Sequence, residues 1–222
     1  MTAATRRLVV LGASGHGKVV IDAAARDGWE IVGFLDRRFE IGVFGGRPVL
    51  GDEDRLSELL VEDPRIRVFV AIGDNAVRQA AVERLLLSAP SARFASVRHP
   101  AATIASDVTL GCGSVVMAGA VINPGVRVGE HCIVNTGALV DHDCELGNFS
   151  TVSPGATMGG NARVGEGSVV GLGASMIHGV ELGDYSILGA GGVATESIPD
   201  GVVAYGVPAR IVRRREPEEP YL

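Results

Sequence analysis

The sequence has no apolar run of the ~18 residues that a membrane-spanning helix requires, and no leader of charged, apolar and small residues opens it. Neither an export signal nor a membrane span is expected, and the cytoplasm is the expected location. Cysteine is scarce. Cys112, Cys132 and Cys144 follow no metal-ligand spacing, and their odd number suits a reducing compartment better than a disulfide framework, so no metal is expected. Basic residues form no dominant cluster apart from Arg213, Arg214 and Arg215, and the formal net charge is −6, which argues against a nucleic-acid partner. The dinucleotide fingerprint GxGxxG is absent as well. What is abundant is glycine, 31 of 222 residues and about twice average usage. The chain needs tight turns repeatedly.

The second half explains this need. From Ile104, steps of six lead through Leu110, Val116 and Ile122 to Leu188 and Ala194, sixteen positions that are all apolar. Four residues after each, a second column is mostly small: Ser114, Ala120, Ala138, Ser150, Ala156 and Ser168 among them. Period six excludes a helix of period 3.6, and simple alternation would not confine large side chains to one position in six. A solenoid of short strands and turns satisfies the pattern, with the aliphatic residue pointing into a narrow prism and the small one filling a corner. Glycines one place after the aliphatic, such as Gly111, Gly129 and Gly147, are expected to serve the turns. The pattern resembles the hexapeptide-repeat acyltransferases. That resemblance implies left-handed coils of three hexapeptides, hence about five coils at a spacing of ~4.8 Å.

The first half reads differently. Residues 7–12 predict a buried strand that runs into Gly12-Ala13-Ser14-Gly15-His16-Gly17, and Val19 to Arg26 predict a helix. Strands are expected again at 30–35, ending on Asp36, and at 67–72, ending on Gly73. A helix follows with Val77, Ala81 and Leu85 on one face. This is a Rossmann-like βαβ succession with a parallel sheet, in which ligands sit outside the carboxyl ends of the strands. The Gly12–Gly17 loop, Asp36 and Gly73 should therefore converge on one crevice. A glycine turn opening a helix offers backbone N–H groups to a diphosphate, and an acid after the second strand can take ribose hydroxyls. The GxxGxG order favours a nucleotide-linked substrate over a nicotinamide cofactor. Residues 47–64 read as a connector with a short helix and no chemistry. The boundary falls near residue 100, giving an α/β domain over 1–100 and an all-β parallel β-helix with a tail over 101–222.

Of five histidines, two share one repeat position, His142 and His178, 36 residues or two coils apart with Gly160 between them. The spacing predicts a separation of about 10 Å along the axis, too far for a shared metal ion. Asp141 and Asp143 flank His142, and a carboxylate bonded to one imidazole nitrogen raises the basicity of the other, as a general base near neutral pH requires. Gly160 would leave room for a ligand and expose its N–H as an oxyanion donor. Cys132 and Cys144 read as corner packing.

Gly-Ala-Ser-Gly-His-Gly-Lys at 12–18, Phe34-Leu35-Asp36, Ala71-Ile72-Gly73-Asp74-Asn75, Asn135-Thr136-Gly137, Val140-Asp141-His142-Asp143-Cys144 and Gly206-Val207-Pro208-Ala209-Arg210 together resemble the sialic acid O-acetyltransferase / nucleotide-amino-sugar N-acetyltransferase family. The resemblance spans essentially the whole chain. It implies an acetyl-CoA-dependent enzyme, without a metal, that acetylates the 4-amino group of a UDP- or GDP-linked deoxyamino sugar by direct transfer. His142 would be the general base and Asp143 its tuning partner; aspartate here matches perosamine-type members, where the bacillosamine branch has glutamate. Ser14, Gly15, His16, Asp36, Arg37 and Gly73 would bind the nucleotide sugar. Leu172 and Ala190 would contact acetyl-CoA, with Gly160, and Thr151 falls where one branch has a coenzyme-contacting histidine. The family implies a homotrimer with sites between subunits. Two other readings remain: an O-acetyltransferase for sialic acid or another surface-polysaccharide sugar, and a nucleotide-sugar-binding structural trimer.

Overall fold

The computed structural model describes residues 5–221. The first domain is built on strands β1 (Arg6–Leu11), β2 (Trp29–Leu35) and β5 (Ile66–Val70), which run parallel with β1 in the middle. A hairpin of β3 (Gly42–Phe44) and β4 (Arg47–Val49) extends the sheet beyond β2. Helices α1 (Gly15–Arg26), α2 (Arg55–Glu62) and α3 (Asn75–Ser88) provide the crossovers and cover the sheet. Leu8, Val10 and Phe34 pack on one side, and Val9, Leu35 and Val70 on the other, as expected for strands buried on both faces.

After β6 (Val97–Arg98), sixteen two-residue strands follow at six-residue intervals, from β7 (Thr103–Ile104) to β22 (Val193–Ala194). They form three parallel sheets in which each residue pairs with the one 18 places further on, for example Val116 with Val134 and Val134 with Val152. The result is a three-sided parallel β-helix. The second residue of each strand points inward: Val116, Ile122, Val134, Val140, Met158 and Leu182 are almost wholly buried in one continuous core. The small column has its own chemistry. Ser114, Ser150, Ser168 and Ser186 are fully buried, and the Ser114 hydroxyl donates to Gly129 O at 2.7 Å while accepting from Cys132 N at 2.8 Å. Cys132 Sγ in turn donates to Gly147 O at 3.0 Å. These side chains satisfy backbone groups that a corner would otherwise leave unpaired.

The left-handed backbone position is not where the sequence suggested. It falls three residues after the aliphatic, at Gly119, Gly137 and Gly155, and is also taken by His131, Asp143, Phe149, Asn161 and Tyr185 with φ of 53–59°. The glycines directly after the aliphatic answer a different need. A Cβ on Gly111 would lie 2.4 Å from the backbone of Gly129 in the next coil, so these residues permit close stacking and do not supply a turn conformation.

The first side of the prism carries β6, β9 (Val115–Val116), β12 (Ile133–Val134), β15 (Thr151–Val152), β18 (Val169–Val170) and β21 (Ile187–Leu188), and continues into β23 (Val202–Gly206) and β24 (Ala209–Arg214). Because β6 already pairs with β9, the β-helical ladder begins at Val97. Val97, Val115 and Ile133 face outward there and share a core with Val10, Ala24 and Phe69 of the α/β domain. The α/β domain is thus seated on the first side. The chain then returns across that seat, with Tyr221 N donating to Asp74 Oδ2 at 2.7 Å and Tyr221 Oη to Gly73 O at 3.1 Å.

Candidate active site

The strand ends of the α/β domain enclose a cavity of about 350 Å³, walled by Gly12, Ser14, Asp36, Arg37, Gly73 and Arg84 among others. The crevice expected from the sequence exists. Two close approaches dictate the glycine loop: a Cβ on Gly12, whose φ is +112°, would lie 2.9 Å from Ala71 O, and one on Gly17 would lie 2.2 Å from Gly12 O. Ser14 caps α1, its hydroxyl accepting from Gly17 N at 3.2 Å.

Of the six residues expected to hold a nucleotide sugar, Ser14, Asp36, Arg37 and Gly73 line the crevice, whereas Gly15 and His16 do not. Gly15 faces open space. His16 is half-buried, with an Nε2 that has no partner, and burial together with the nearby Arg78 guanidinium pushes its pKa down to about 4. Asp36 is also not the free acceptor imagined for ribose. Its Oδ2 accepts from Ala13 N at 2.8 Å and from Arg38 Nη2 at 2.6 Å, and its Oδ1 from Arg38 N and Nε at 2.9 and 3.0 Å. Burial pushes the carboxyl up, but these bonds outweigh it and hold the group ionised. With its lone pairs occupied, Asp36 fastens the glycine loop to β2. The segment read as a connector supplies a residue the sequence did not reveal: Glu53, 7% exposed, which pairs with Arg37 and lies 3.9 Å from Arg84 on the crevice wall. Its signal was the middle place in the acidic triplet Asp52-Glu53-Asp54, which by itself points nowhere.

His142 stands two residues beyond β13 (Leu139–Val140). Its Nδ1 lies 2.9 Å from Oδ2 of Asp143, and Asp141 Oδ1 accepts from its backbone N at 2.8 Å. Asp141 is itself held by Asn123 Nδ2, one coil earlier, at 2.7 Å. The hydrogen bond with Asp143, followed by the charge of Asp141, raises the His142 pKa above its ordinary value. Asp143 reaches back because its backbone occupies the left-handed slot at φ 57°, and its Oδ1 fills the space over Gly125, where a Cβ would lie 2.3 Å away. With Nδ1 bonded to the carboxylate, Nε2 keeps the lone pair that could accept a proton.

Gly160 needs correction on both counts. The space above it is filled by the His142 ring, whose Cε1 and Nε2 lie 2.6 Å from the point a Cβ would occupy. Its N–H is not free, because it donates to His178 Nδ1 at 3.1 Å. Gly160 makes room for the His142 ring and orients His178 through its Nδ1. Thr151 needs correction as well. It is 2% exposed on the first side, under the α/β domain, and its hydroxyl donates to Asn75 Oδ1 at 2.7 Å, so it cannot meet a coenzyme. Leu172 and Ala190 are exposed in equivalent turns of consecutive coils, where Gly191 N donates to Leu172 O at 2.8 Å. Among the described residues, Cys112, Glu130 and His131 are the group with metal-type donors within 4.8 Å of one another; burial and then Glu130 push the Cys112 thiol up to about 11.

The three edges of the prism are used differently. Turns from the third side back to the first, including His131 and Phe149, meet the α/β domain. Turns from the first side to the second carry Leu172 and Ala190, and turns from the second to the third carry His142. His142 therefore stands on the edge opposite the face on which the α/β domain sits, and among the described residues none beyond Arg84 lines the crevice.

A parallel α/β domain with a strand-end crevice, seated on a three-sided hexapeptide β-helix that presents a His–Asp pair, defines a two-domain hexapeptide-repeat protein. Comparison with known proteins narrows the class. Residues 7–85 match the family model described as the PglD N-terminal domain. The acetyltransferase domain of PglB from Neisseria gonorrhoeae FA1090 is 40% identical, with a TM-score of 0.84 over 94% of this chain and 100% of that one. PerB from Caulobacter crescentus, solved in complex with CoA and GDP-perosamine, is 39% identical, with a TM-score of 0.87 over 93% of this chain and 97% of that one. The UDP-N-acetylbacillosamine N-acetyltransferase of Bacillus subtilis (strain 168) is 38% identical over 114 residues, 51% of this chain and 52% of that protein. The match thus spans about half the length of that curated relative. The chain belongs to the nucleotide-sugar N-acetyltransferase family that includes PglB and PerB.

Proposed function

We propose that the protein transfers the acetyl group of acetyl-CoA to the 4-amino group of a nucleotide-linked deoxyamino sugar. The observation that carries this reading is the His142–Asp143 pair, with Nδ1 engaged at 2.9 Å and Nε2 left as acceptor. The uncharged amine attacks the thioester carbonyl, His142 Nε2 takes its proton, the C–S bond breaks, and the CoA thiolate is neutralised by that same proton, which returns His142 to its neutral form. No acyl-enzyme is needed. Cys132 and Cys144 are buried and hydrogen-bonded into corners. The relatives support the substrates, since PerB was solved with CoA and GDP-perosamine and the Bacillus relative is named for UDP-N-acetylbacillosamine.

The crevice, with Ser14, Arg37, Gly73 and Arg84 on its wall, takes the nucleotide diphosphate, and the Leu172–Ala190 edge takes the coenzyme. Because the His142 edge is opposite the α/β domain, one chain cannot bring its own crevice to its own base. The functional unit is a homotrimer with sites between subunits, acting in the cytoplasm, where nucleotide sugars and acetyl-CoA are made. Release of CoA in the presence of UDP-, GDP- and dTDP-4-amino sugars, compared with the 4-hydroxy analogues, tests the reading. Turnover of amino sugars alone supports it; preference for a hydroxyl acceptor replaces it with O-acetylation, and binding without turnover with a structural role.

A further inference from the structure

Helix α3 carries a cation that the reaction does not use and the fold does not need for charge. Arg78 is 1% exposed, and each of its five N–H donors has a partner. Nη1 donates to Ile72 O and Gly73 O, both at 2.9 Å. Nη2 donates to Asn75 Oδ1 at 2.7 Å and to Phe149 O at 2.8 Å, and Nε donates to His131 O at 2.9 Å. Three of these acceptors belong to the α/β domain and two to turns of the β-helix. None is a carboxylate. Burial lowers the guanidinium pKa only to about 10, with Tyr221 and Asp74 opposing the shift, so the charge persists at neutral pH.

A buried charge that bonds only to neutral oxygens is a poor source of stability, because apolar side chains of similar volume are often as good or better. What an arginine alone can do here is geometric. Its planar fork spans two bodies with five directed bonds, where a lysine offers one point charge. The acceptors on the domain side matter most. Ile72 and Gly73 are crevice wall, and the two β-helix acceptors lie on consecutive coils of the edge that meets it. Asn75 braces the same joint, its Nδ2 donating to Gly167 O and Ser168 O at 3.2 and 3.1 Å.

We propose that Arg78 is a positioning residue for the acyl acceptor: it locks the Ile72–Gly73 crevice wall to the His131 and Phe149 turns, and so fixes the bound nucleotide sugar relative to its own β-helix, the body on which the copy that presents the base docks. This rests on the reading that the crevice holds the nucleotide sugar and that His142 is the base. Any neighbouring copy docked on the β-helix then meets the sugar at one distance and angle. A misplacement of about 1 Å at the reacting atoms costs up to ~100-fold in rate.

The test uses the full-length protein with Arg78→Lys, Arg78→Met and the milder, isosteric Thr151→Val, which removes the hydroxyl bonded to Asn75 Oδ1. Turnover per folded molecule is measured well below the melting temperature, with KM for acetyl-CoA and calorimetric Kd for UDP, GDP and dTDP. The proposal expects kcat down by roughly 10-fold or more in both Arg78 variants and about 2- to 3-fold in Thr151→Val. KM for acetyl-CoA and the nucleotide Kd should stay within about 3-fold, since the groups that touch these ligands remain. Unchanged kcat per folded molecule with only a lower melting temperature overturns it, and if the Arg78 variants do not fold, wild-type kcat in Thr151→Val does the same. Failure of the underlying reading is distinct: wild-type protein would then bind none of the nucleotides or transfer no acetyl group.

Discussion

His142 Nδ1 and Asp143 Oδ2 lie 2.9 Å apart although the residues are adjacent, because Asp143 adopts a left-handed backbone that turns its side chain back across the turn. The carboxylate raises the imidazole pKa, and as the proposed base His142 would act in its neutral form, populated above that pKa. Asp143→Asn removes the charge while keeping a residue that tolerates positive φ. The acid limb of the kcat–pH profile should therefore move to lower pH, and the plateau should fall because the tautomer is no longer held. An unmoved limb would show that another group titrates there.

His142→Ala should lower kcat by ~10²- to 10⁴-fold with an unchanged circular dichroism spectrum, since the side chain is exposed and no core packing depends on it. Turnover near that of the wild type would remove His142 from the mechanism.

Gly160→Ala should act on the base without touching it covalently. The new Cβ would come within 2.6 Å of His142 Cε1 and Nε2, and the ring must swing outward, away from its pairing with Asp143. A fall in kcat of at least ~10-fold is expected, on the scale of losing an aligned general base. Steady-state kinetics beside a thermal melt would separate this from loss of fold.

Gly17→Ala should be a stability variant. Its Cβ would lie 2.2 Å from Gly12 O, a backbone atom that cannot rotate away, so the loop or α1 must shift. A cost of about 1–3 kcal/mol, typical of overpacking, should appear in denaturant titration together with weakened nucleotide binding.

If crevice and base come from different chains, light scattering should give roughly three times the 23.0 kDa chain mass. Co-assembly of His142→Ala with a crevice variant such as Gly12→Val should then restore part of the activity that each lacks alone. No recovery on mixing would place both halves of the site in one chain.

Much of this architecture was legible in the sequence because its causes are local. An inward aliphatic every six residues needs only the geometry of a short strand and a turn, so Ile104 to Ala194 announce the β-helix. The His142–Asp143 pair is likewise a matter of neighbours in one turn, and the convergence of Gly12, Asp36 and Gly73 follows from a parallel sheet's strand ends. Three inferences met hydrogen-bond partners that the sequence did not weigh. Asp36 loses its free lone pairs to Arg38 and Ala13, Gly160 loses its N–H to His178 one coil away, and Thr151 lies under Asn75, 76 residues earlier in the chain. Glu53 and Arg78 could not be singled out, because a charged residue acquires a role only through what burial places around it. By itself, then, the sequence determined the repeat, the strand ends and the pairing of His142 with its neighbour, all products of short-range geometry. Only the tertiary structure decided which polar groups remain free for a ligand, because hydrogen-bonding capacity is consumed by partners that folding brings together.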